Sequence, residues 1–377
     1  MPPITPAALA QHLAFALCLA LLSALVVRGV IAARLMDIPN DRSAHQRPTP
    51  RGGGLGVVAA TLAGLVALYF TGRVARIDDP YFLAVIAGGA AIALVSLADD
   101  VFDFSFRWKL AVQVVAAALP IGFGLTLDTL FLPFLGPVPL GPAGALLTLF
   151  WIVFVTNAMN FIDGLDGLCA GMAAIASGFL AAVALAEGGA FVYAASLFLC
   201  SGCLGFLPFN FPRARIFLGD VGSQFIGYML AVLAVAAARF EATQVSFFIV
   251  PLLLALPLFD VAFTLIRRAL AGERLTEAHR GHLYQVLDRS GFPRVGITLL
   301  AWGFTAAMGL AAFRFIGLSP PEKLALFLGV LGALSLYAAW VAVRARRAGI
   351  GGWSRPASSG LGEAVRSPVR RTPTARP

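Results

Sequence analysis

Apolar runs of about 20 residues recur from one end of the chain to the other, and short segments rich in Gly, Pro, Asp, Asn and Arg separate them. A run of that length matches one helical crossing of a bilayer. Eleven such spans are predicted, near 7–31, 54–72, 81–98, 109–127, 141–158, 168–186, 190–207, 222–238, 245–266, 296–315 and 322–342. The expected fold is therefore all-α, a polytopic integral membrane helical bundle of about 11 transmembrane helices. The first run, about Ala7 to Ala33, has no charged segment ahead of it and is too long for a cleaved signal peptide, so it reads as an uncleaved span. No internal repeat stands out, which weakens a transporter built from repeated halves.

Composition agrees with this pattern. Of 377 residues 59% are hydrophobic and 12% charged, and the mean hydropathy is +0.86; a soluble domain averages about 25% charged residues. One membrane domain is expected over 1–343, followed by a tail over 344–377 with eight Arg and one acid, Glu363. That tail reads as a disordered segment touching anionic headgroups. The connections between spans alternate between two faces. The face taking 32–53, 99–108, 159–167, 208–221, 267–295 and the tail holds 23 of the 28 Lys and Arg, with Arg28 and Lys109 counted as its anchors. The other face holds Arg73, Arg76, Arg239, Arg314 and Lys323. The positive-inside rule makes the first face cytoplasmic, with the N-terminus outside and the C-terminus cytoplasmic. The formal charge of +9 then reports topology, and no basic, aromatic-interleaved patch suited to nucleic acid is present. Cys18, Cys169, Cys200 and Cys203 lie in or beside apolar runs and read as small helix residues, with no metal-binding partners visible nearby.

The chemistry-bearing residues gather on the cytoplasmic face. Asp99, Asp100 and Asp103 close the third span. Carboxylates near hydrocarbon cost roughly 2.5–3.5 kcal/mol each, so three so close together need a metal ion, a Lys or Arg, or a proton. Arg107 and Lys109 follow, placed to hold a lipid phosphate at the membrane surface. The first loop, Asp37-Ile-Pro-Asn-Asp-Arg-Ser-Ala-His45-Gln-Arg47-Pro-Thr-Pro-Arg51-Gly-Gly-Gly54, is a shaped turn whose arginines and glycine amides suit an anion. Asn157, Asn160, Asp163 and Asp166 recur every three residues, first on helix and then in a glycine turn, where their oxygens can converge on a cation or a sugar hydroxyl. Asp220 sits between glycines at a helix start, as N-cap or as metal ligand, with Asn210 and Phe217 just ahead of it. His279-Arg280-Gly-His282 in the last loop fits a diphosphate better than zinc, since no Cys or third His is close. Asp260, inside the ninth span, reads as paired with a basic group in the bundle or as facing a cavity.

Taken in order, these five segments resemble the polyprenyl-phosphate N-acetylhexosamine-1-phosphate transferases (glycosyltransferase family 4) over about residues 7–340. The forms D-x-P-N-x-R-S-x-H…P-T-P-R-G-G-G and H-R-x-H-L-Y-Q look most like the branch that initiates O-antigen synthesis. The resemblance implies transfer of an N-acetylhexosamine-1-phosphate from a UDP-N-acetyl amino sugar to undecaprenyl phosphate, with UMP leaving. It implies Mg2+ or Mn2+ on the diphosphate and a multi-pass protein of the bacterial inner membrane with a cytoplasmic site. By motif, catalytic roles fall on Asp99, Asp100 and Asp220, and metal ligation on Asp220 and Asp163. Substrate contacts fall on Asn160, Asp166, Asn210, Phe217, His279, Arg280, His282, Arg47, His45 and Lys109, with Phe217 stacking on uracil. Homodimerisation is left open.

The departures are informative. The peptidoglycan branch of the family has a lysine where Asp103 stands, a histidine run at 279–282, and a lysine where Arg47 stands, all of which argue against a muramyl-pentapeptide substrate. The alternative is a multi-span transporter with a cytoplasmic polar vestibule. That architecture places its acids near the midplane on broken helices, where only Asp260 is expected. A CDP-alcohol phosphotransferase would carry a D-G-x-x-A-R signature, which is absent. A structural subunit has no reason to collect five polar motifs on one face.

Overall fold

A computed structural model describes residues 5–33, 36–37, 48–72, 75, 77–102, 104–132, 135–239, 245–277, 279–351 and 353. His45, Arg47, Asp103 and the tail beyond 353 lie outside the described residues. The described residues are mostly helical. Helix α1 (Pro6–Ala33) leads through a two-residue strand pair, β1 (Met36–Asp37) with β2 (Thr49–Pro50), into α2 (Gly54–Thr71), α3 (Asp79–Phe102) and α4 (Phe106–Gly122). An antiparallel hairpin, β3 (Thr129–Leu132) with β4 (Gly136–Pro139), precedes α5 (Pro142–Ile162), α6 (Leu168–Ala186), α7 (Ala190–Asn210) and α8 (Gly219–Arg239). The rest is α9 (Ile249–Leu253), α10 (Ala255–Leu270), α11 (Leu283–Arg289), α12 (Arg294–Gly317) and α13 (Pro320–Arg347).

Among the described residues nine helices are long and apolar enough to cross a membrane: α1, α2, α3, α5, α6, α7, α8, α12 and α13. Two predicted spans differ. The fourth is α4, only 17 residues long, with Arg107 and Lys109 in its first turn. The ninth is broken at Leu254 into α9 and α10. Pro257 explains the break, because it has no N–H to give the carbonyl of Leu253 and fits only in the first turn of a new helix. The two strand pairs among the described residues are confined to connections, and the bundle itself is all-α as expected.

Helix α8 is the axis of the bundle, buried along nearly its whole length. Between apolar helices close approach depends on small residues. At the α2–α8 crossing Gly54 meets Gly222, where a Cβ on Gly54 would lie 2.2 Å from the Gly222 Cα. Toward α5, Gly227 packs on the backbone of Val155 and Thr156, and Trp151 Nε1 donates to the Ala231 carbonyl at 3.0 Å. Toward α3, the Tyr228 hydroxyl donates to the Val85 carbonyl at 3.3 Å. On the face opposite the acidic helix ends, Arg239 at the end of α8 pairs with Asp128 beside the hairpin.

Overpacking a tight crossing costs typically about 1–3 kcal/mol. Gly54→Val should therefore lower the melting temperature of the purified protein, whereas Gly303→Ala, where nothing lies within 4 Å of the new Cβ, should leave it unchanged. Fluorescence-detected thermal denaturation of the two variants checks this.

Candidate active site

Four helix ends and one loop converge at the carboxylates. Asp99 and Asp100 lie in the last turn of α3, Lys109 in the first turn of α4, Asp220 in the first turn of α8, and Asn160 in the last turn of α5. Arg51 arrives on the segment just before α2. That segment is fixed by backbone pairing with the run before α8: Phe217 N–H donates to Pro50 O at 2.8 Å, Gly53 N–H to Phe217 O at 2.9 Å and Gly54 N–H to Leu218 O at 2.8 Å. Gly219 closes the approach. Its φ is +76° and a Cβ there would lie 2.9 Å from Asp100 Oδ2, so only glycine fits.

Carboxylates at the C-terminal end of a helix face its negative pole. Asp99 and Asp100 therefore need cations, and the fold supplies two. Arg51 Nη2 is 2.8 Å from Asp100 Oδ1 and 3.1 Å from Asp220 Oδ1. Lys109 Nζ pairs with Asp99 and lies 3.4 Å from Asp220 Oδ2. Phe104 N–H also donates to Asp99 at 2.7 Å. The cations and acids thus form one cluster in which Asp220 is shared by both bases.

The donor set fits a hard divalent cation. One oxygen each from Asp99, Asp100 and Asp220 lie within 4.8 Å of one another, and oxygen ligands suit Mg2+ or Mn2+. The Asp100 side chain is 7% exposed, yet neither oxygen accepts a well-formed hydrogen bond. The Arg51 guanidinium and the Asp220 backbone N–H lie against it. A buried carboxylate with spare lone pairs is what a metal ligand looks like before the metal binds. Asp163, just past α5, is not in the group of three. It feels the group electrostatically, because burial first and the Asp220 charge second push its carboxyl up to about 8.

Amides order the cluster from below. Asn160 Nδ2 donates to Asp220 Oδ1 at 3.1 Å and lies 3.0 Å from Ser223 Oγ. Gln224 donates to Asp220 Oδ2 at 3.4 Å, the buried Gln113 of α4 donates to Gln224 at 2.9 Å, and Asn157 Nδ2 donates to Gln113 at 2.6 Å. Gln113, Ser223 and Gln224 were not predicted, although a glutamine inside each of two apolar runs is visible in the sequence.

Two predicted substrate residues are braced to backbone. Asn210 accepts from Gly167 N–H at 2.6 Å and donates to Ile216 O at 3.0 Å, so both ends of its amide help tie the glycine turn to the loop before α8. Asp166 accepts from Ala214 N–H at 3.0 Å in the same junction. Phe217 is half-buried above this loop.

The last-loop residues lie at a different wall. A groove of about 710 Å³ runs between α4, α5 and α10. It is lined largely by apolar side chains such as Phe150 and Leu265, with His279, His282 and Asn157 among its polar residues. Arg280 adjoins these histidines and its carbonyl accepts from Arg289 at 3.1 Å. Burial, with His282 adjacent, lowers His279 to about 4, so it is neutral at physiological pH. Asp260 does not pair with Arg267 or Arg268: Arg268 binds Glu273 at 3.0 Å, while Asp260 takes the His282 ring and the first amides of α11.

These features define a multi-pass membrane protein with a carboxylate and cation cluster at one end of its bundle. A model described as glycosyl transferase family 4 matches residues 82–238. The chain is 32% identical over 300 residues to a probable undecaprenyl-phosphate N-acetylglucosaminyl 1-phosphate transferase of Bacillus subtilis, covering 79% of this chain and 78% of that one. It is 33% identical over 336 residues to the decaprenyl-phosphate N-acetylglucosaminephosphotransferase of Mycobacterium tuberculosis, covering 80% and 81%. It is 29% identical over 306 residues to the undecaprenyl-phosphate alpha-N-acetylglucosaminyl 1-phosphate transferase of Yersinia pestis, covering 78% and 81%. The chain belongs to glycosyl transferase family 4.

A pH dependence follows from Asp163. Its carboxyl sits at about 8 when folded against an ordinary 3.8, so between those values the folded protein holds a proton that the unfolded chain has released. Stability of the cation-free protein should therefore fall as pH rises through this window. Melting temperatures in chelator should be lower near pH 8.5 than near pH 6. Added Mg2+ should raise the higher-pH value more, and Asp220→Ala should remove that gain.

Proposed function

We propose that the protein transfers N-acetylglucosamine-1-phosphate, or a closely related N-acetylhexosamine-1-phosphate, from its UDP-sugar to undecaprenyl phosphate. The observation that carries this is the cluster of Asp99, Asp100 and Asp220, one oxygen each within 4.8 Å of the others, flanked by Arg51 and Lys109. Such a cluster suits two phosphorylated reactants that repel each other. The names of the relatives favour a polyprenyl-phosphate acceptor and N-acetylglucosamine as the sugar. The distribution of Lys and Arg favours a cytoplasmic site, where UDP-sugars are made. The product would begin a cell-envelope polysaccharide such as O-antigen.

In this reading a lipid-phosphate oxygen attacks the phosphorus that bears the sugar. A new P–O bond forms, the P–O bond to the uridylyl phosphate breaks, and UMP leaves. Such transfers depend on alignment and charge neutralisation more than on covalent catalysis. A divalent cation held by Asp220 with Asp99 or Asp100 would neutralise charge on the diphosphate. Arg51 and Lys109 supply the remaining positive charge. Asp99 pairs with Lys109 and accepts from the Phe104 amide, so it also orients that lysine. Asp100 has spare lone pairs facing the cluster and is the better group to take the last proton from the lipid phosphate. Asn160 and Gln224 hold the Asp220 carboxylate in place. The apolar groove supports a long prenyl chain, and Asn157 joins it to the cluster through Gln113 and Gln224.

Purified protein with undecaprenyl phosphate, Mg2+ and a panel of UDP-N-acetyl sugars should release UMP with UDP-N-acetylglucosamine or a close analogue. Asp220→Ala should abolish release at every Mg2+ level, and Asp100→Asn should lower kcat by about 10²–10⁴-fold, the usual worth of a positioned base. Turnover of Asp220→Ala near that of the unmutated protein would contradict the assignment. UMP release without a lipid-linked product would contradict the acceptor.

A further inference from the structure

Asp260 and His282 form a buried pair to which the transfer chemistry above assigns no role. They are 2% and 4% exposed. His282 Nδ1 lies 3.2 Å from Asp260 Oδ1. The same oxygen accepts from Leu283 N–H at 2.9 Å and from the Thr264 hydroxyl at 3.2 Å, and Oδ2 accepts from Tyr284 N–H at 3.2 Å. The two amides and the Thr264 hydroxyl all donate to this carboxyl and so favour its ionised form, which only accepts. The proton between Asp260 and His282 therefore sits on Nδ1.

The ring is fixed in the plane as well. It stacks on Phe161 with centroids 5.7 Å apart and on Tyr284 at 6.1 Å. The Tyr284 hydroxyl in turn donates to the Phe161 carbonyl at 2.9 Å, which locks α11 to the end of α5. His282 also lines the groove that Asn157 joins to the carboxylates.

We infer that Asp260 is a positioning residue that holds His282 as its Nδ1–H tautomer, so that Nε2 is presented to a phosphate group at the groove. What Nε2 meets rests on the transferase reading, whereas the tautomer does not. A carboxylate behind an imidazole does two things: it fixes which nitrogen carries the proton, and it stabilises the ring when the other nitrogen gains one. His282 can then take up a proton at Nε2 and pair with a phosphate oxygen. A simple helix-capping role for Asp260 would need only the two amides and would be indifferent to the ring.

The first test needs no variant and no activity. Full-length protein carrying 15N-histidine in lipid nanodiscs should show His282, assigned by its loss in His282→Gln, with a protonated Nδ1 and a bare Nε2. Asp260→Asn should shift that signal toward the Nε2–H tautomer. An Nε2–H tautomer in the unmutated protein, or an unchanged signal in Asp260→Asn, would overturn the inference. In turnover assays Asp260→Asn should lower kcat by on the order of 10²-fold, the upper range for loss of a partner behind a functional histidine, with KM changed far less. His282→Gln should cost a similar factor, and the double variant no more than either alone. Additive losses would mean that Asp260 acts only as a cap. An inactive unmutated protein would count against the transferase reading, and the nitrogen spectra would still decide the role of Asp260.

Discussion

Charge compensation at the end of an apolar bundle is the constraint on which the rest depends. Asp99 and Asp100 sit at the wrong pole of α3, within reach of Asp220, and none of the three is tolerable there alone. Arg51 answers two of them and Lys109 answers the third while touching Asp220 as well. Arg51 can do so only because the run 50–54 pairs with 217–218, and that pairing is possible because Gly54, Gly219 and Gly222 leave no side chain in the way. Fold and site are thus one problem. The glycines that let α2 approach α8 are the same ones that deliver a guanidinium to the carboxylates.

The compensation is incomplete by design of the donor set. Two cations face three clustered carboxylates, and Asp100 keeps buried lone pairs. That residual negative charge favours a divalent cation, and a bound cation in turn lets two phosphorylated molecules share the site. The second wall is built differently. There a neutral His279 and a ring-fixed His282 line an apolar groove, and a chain of amides from Asn157 through Gln113 and Gln224 connects it to Asp220. Hard charge on one side and an apolar trough on the other match a substrate that is part phosphate and part hydrocarbon.

Much of this was legible in the sequence, because hydrophobic length marks spans and out-of-place carboxylates mark chemistry. The bundle, Asp99, Asp100, Asp220, Asn160 and Lys109 were all visible in that way. What could not be read were long-range relations. Nothing local says that Pro50 pairs with Phe217, that Arg51 reaches two of the acids, or that Asp260 binds residues 22 to 24 positions later. Asn210 and Asp166 looked like ligand residues, since amides and carboxylates beside glycine turns serve ligand and backbone equally well; the structure engages both with backbone groups. The break at Leu254 was signalled by Pro257, but an otherwise continuous apolar run hid it.

The most direct test follows the phosphorus. Purified protein would be given undecaprenyl phosphate, Mg2+ and UDP-N-acetylglucosamine labelled with 32P at the phosphate that bears the sugar. The account predicts that the label moves with the sugar into a solvent-extractable lipid while unlabelled UMP appears in equal amount, and that Asp220→Ala leaves the label in water. Label that stays water-soluble while the sugar enters the lipid would mean that a different bond is broken, and it would contradict the proposed transfer.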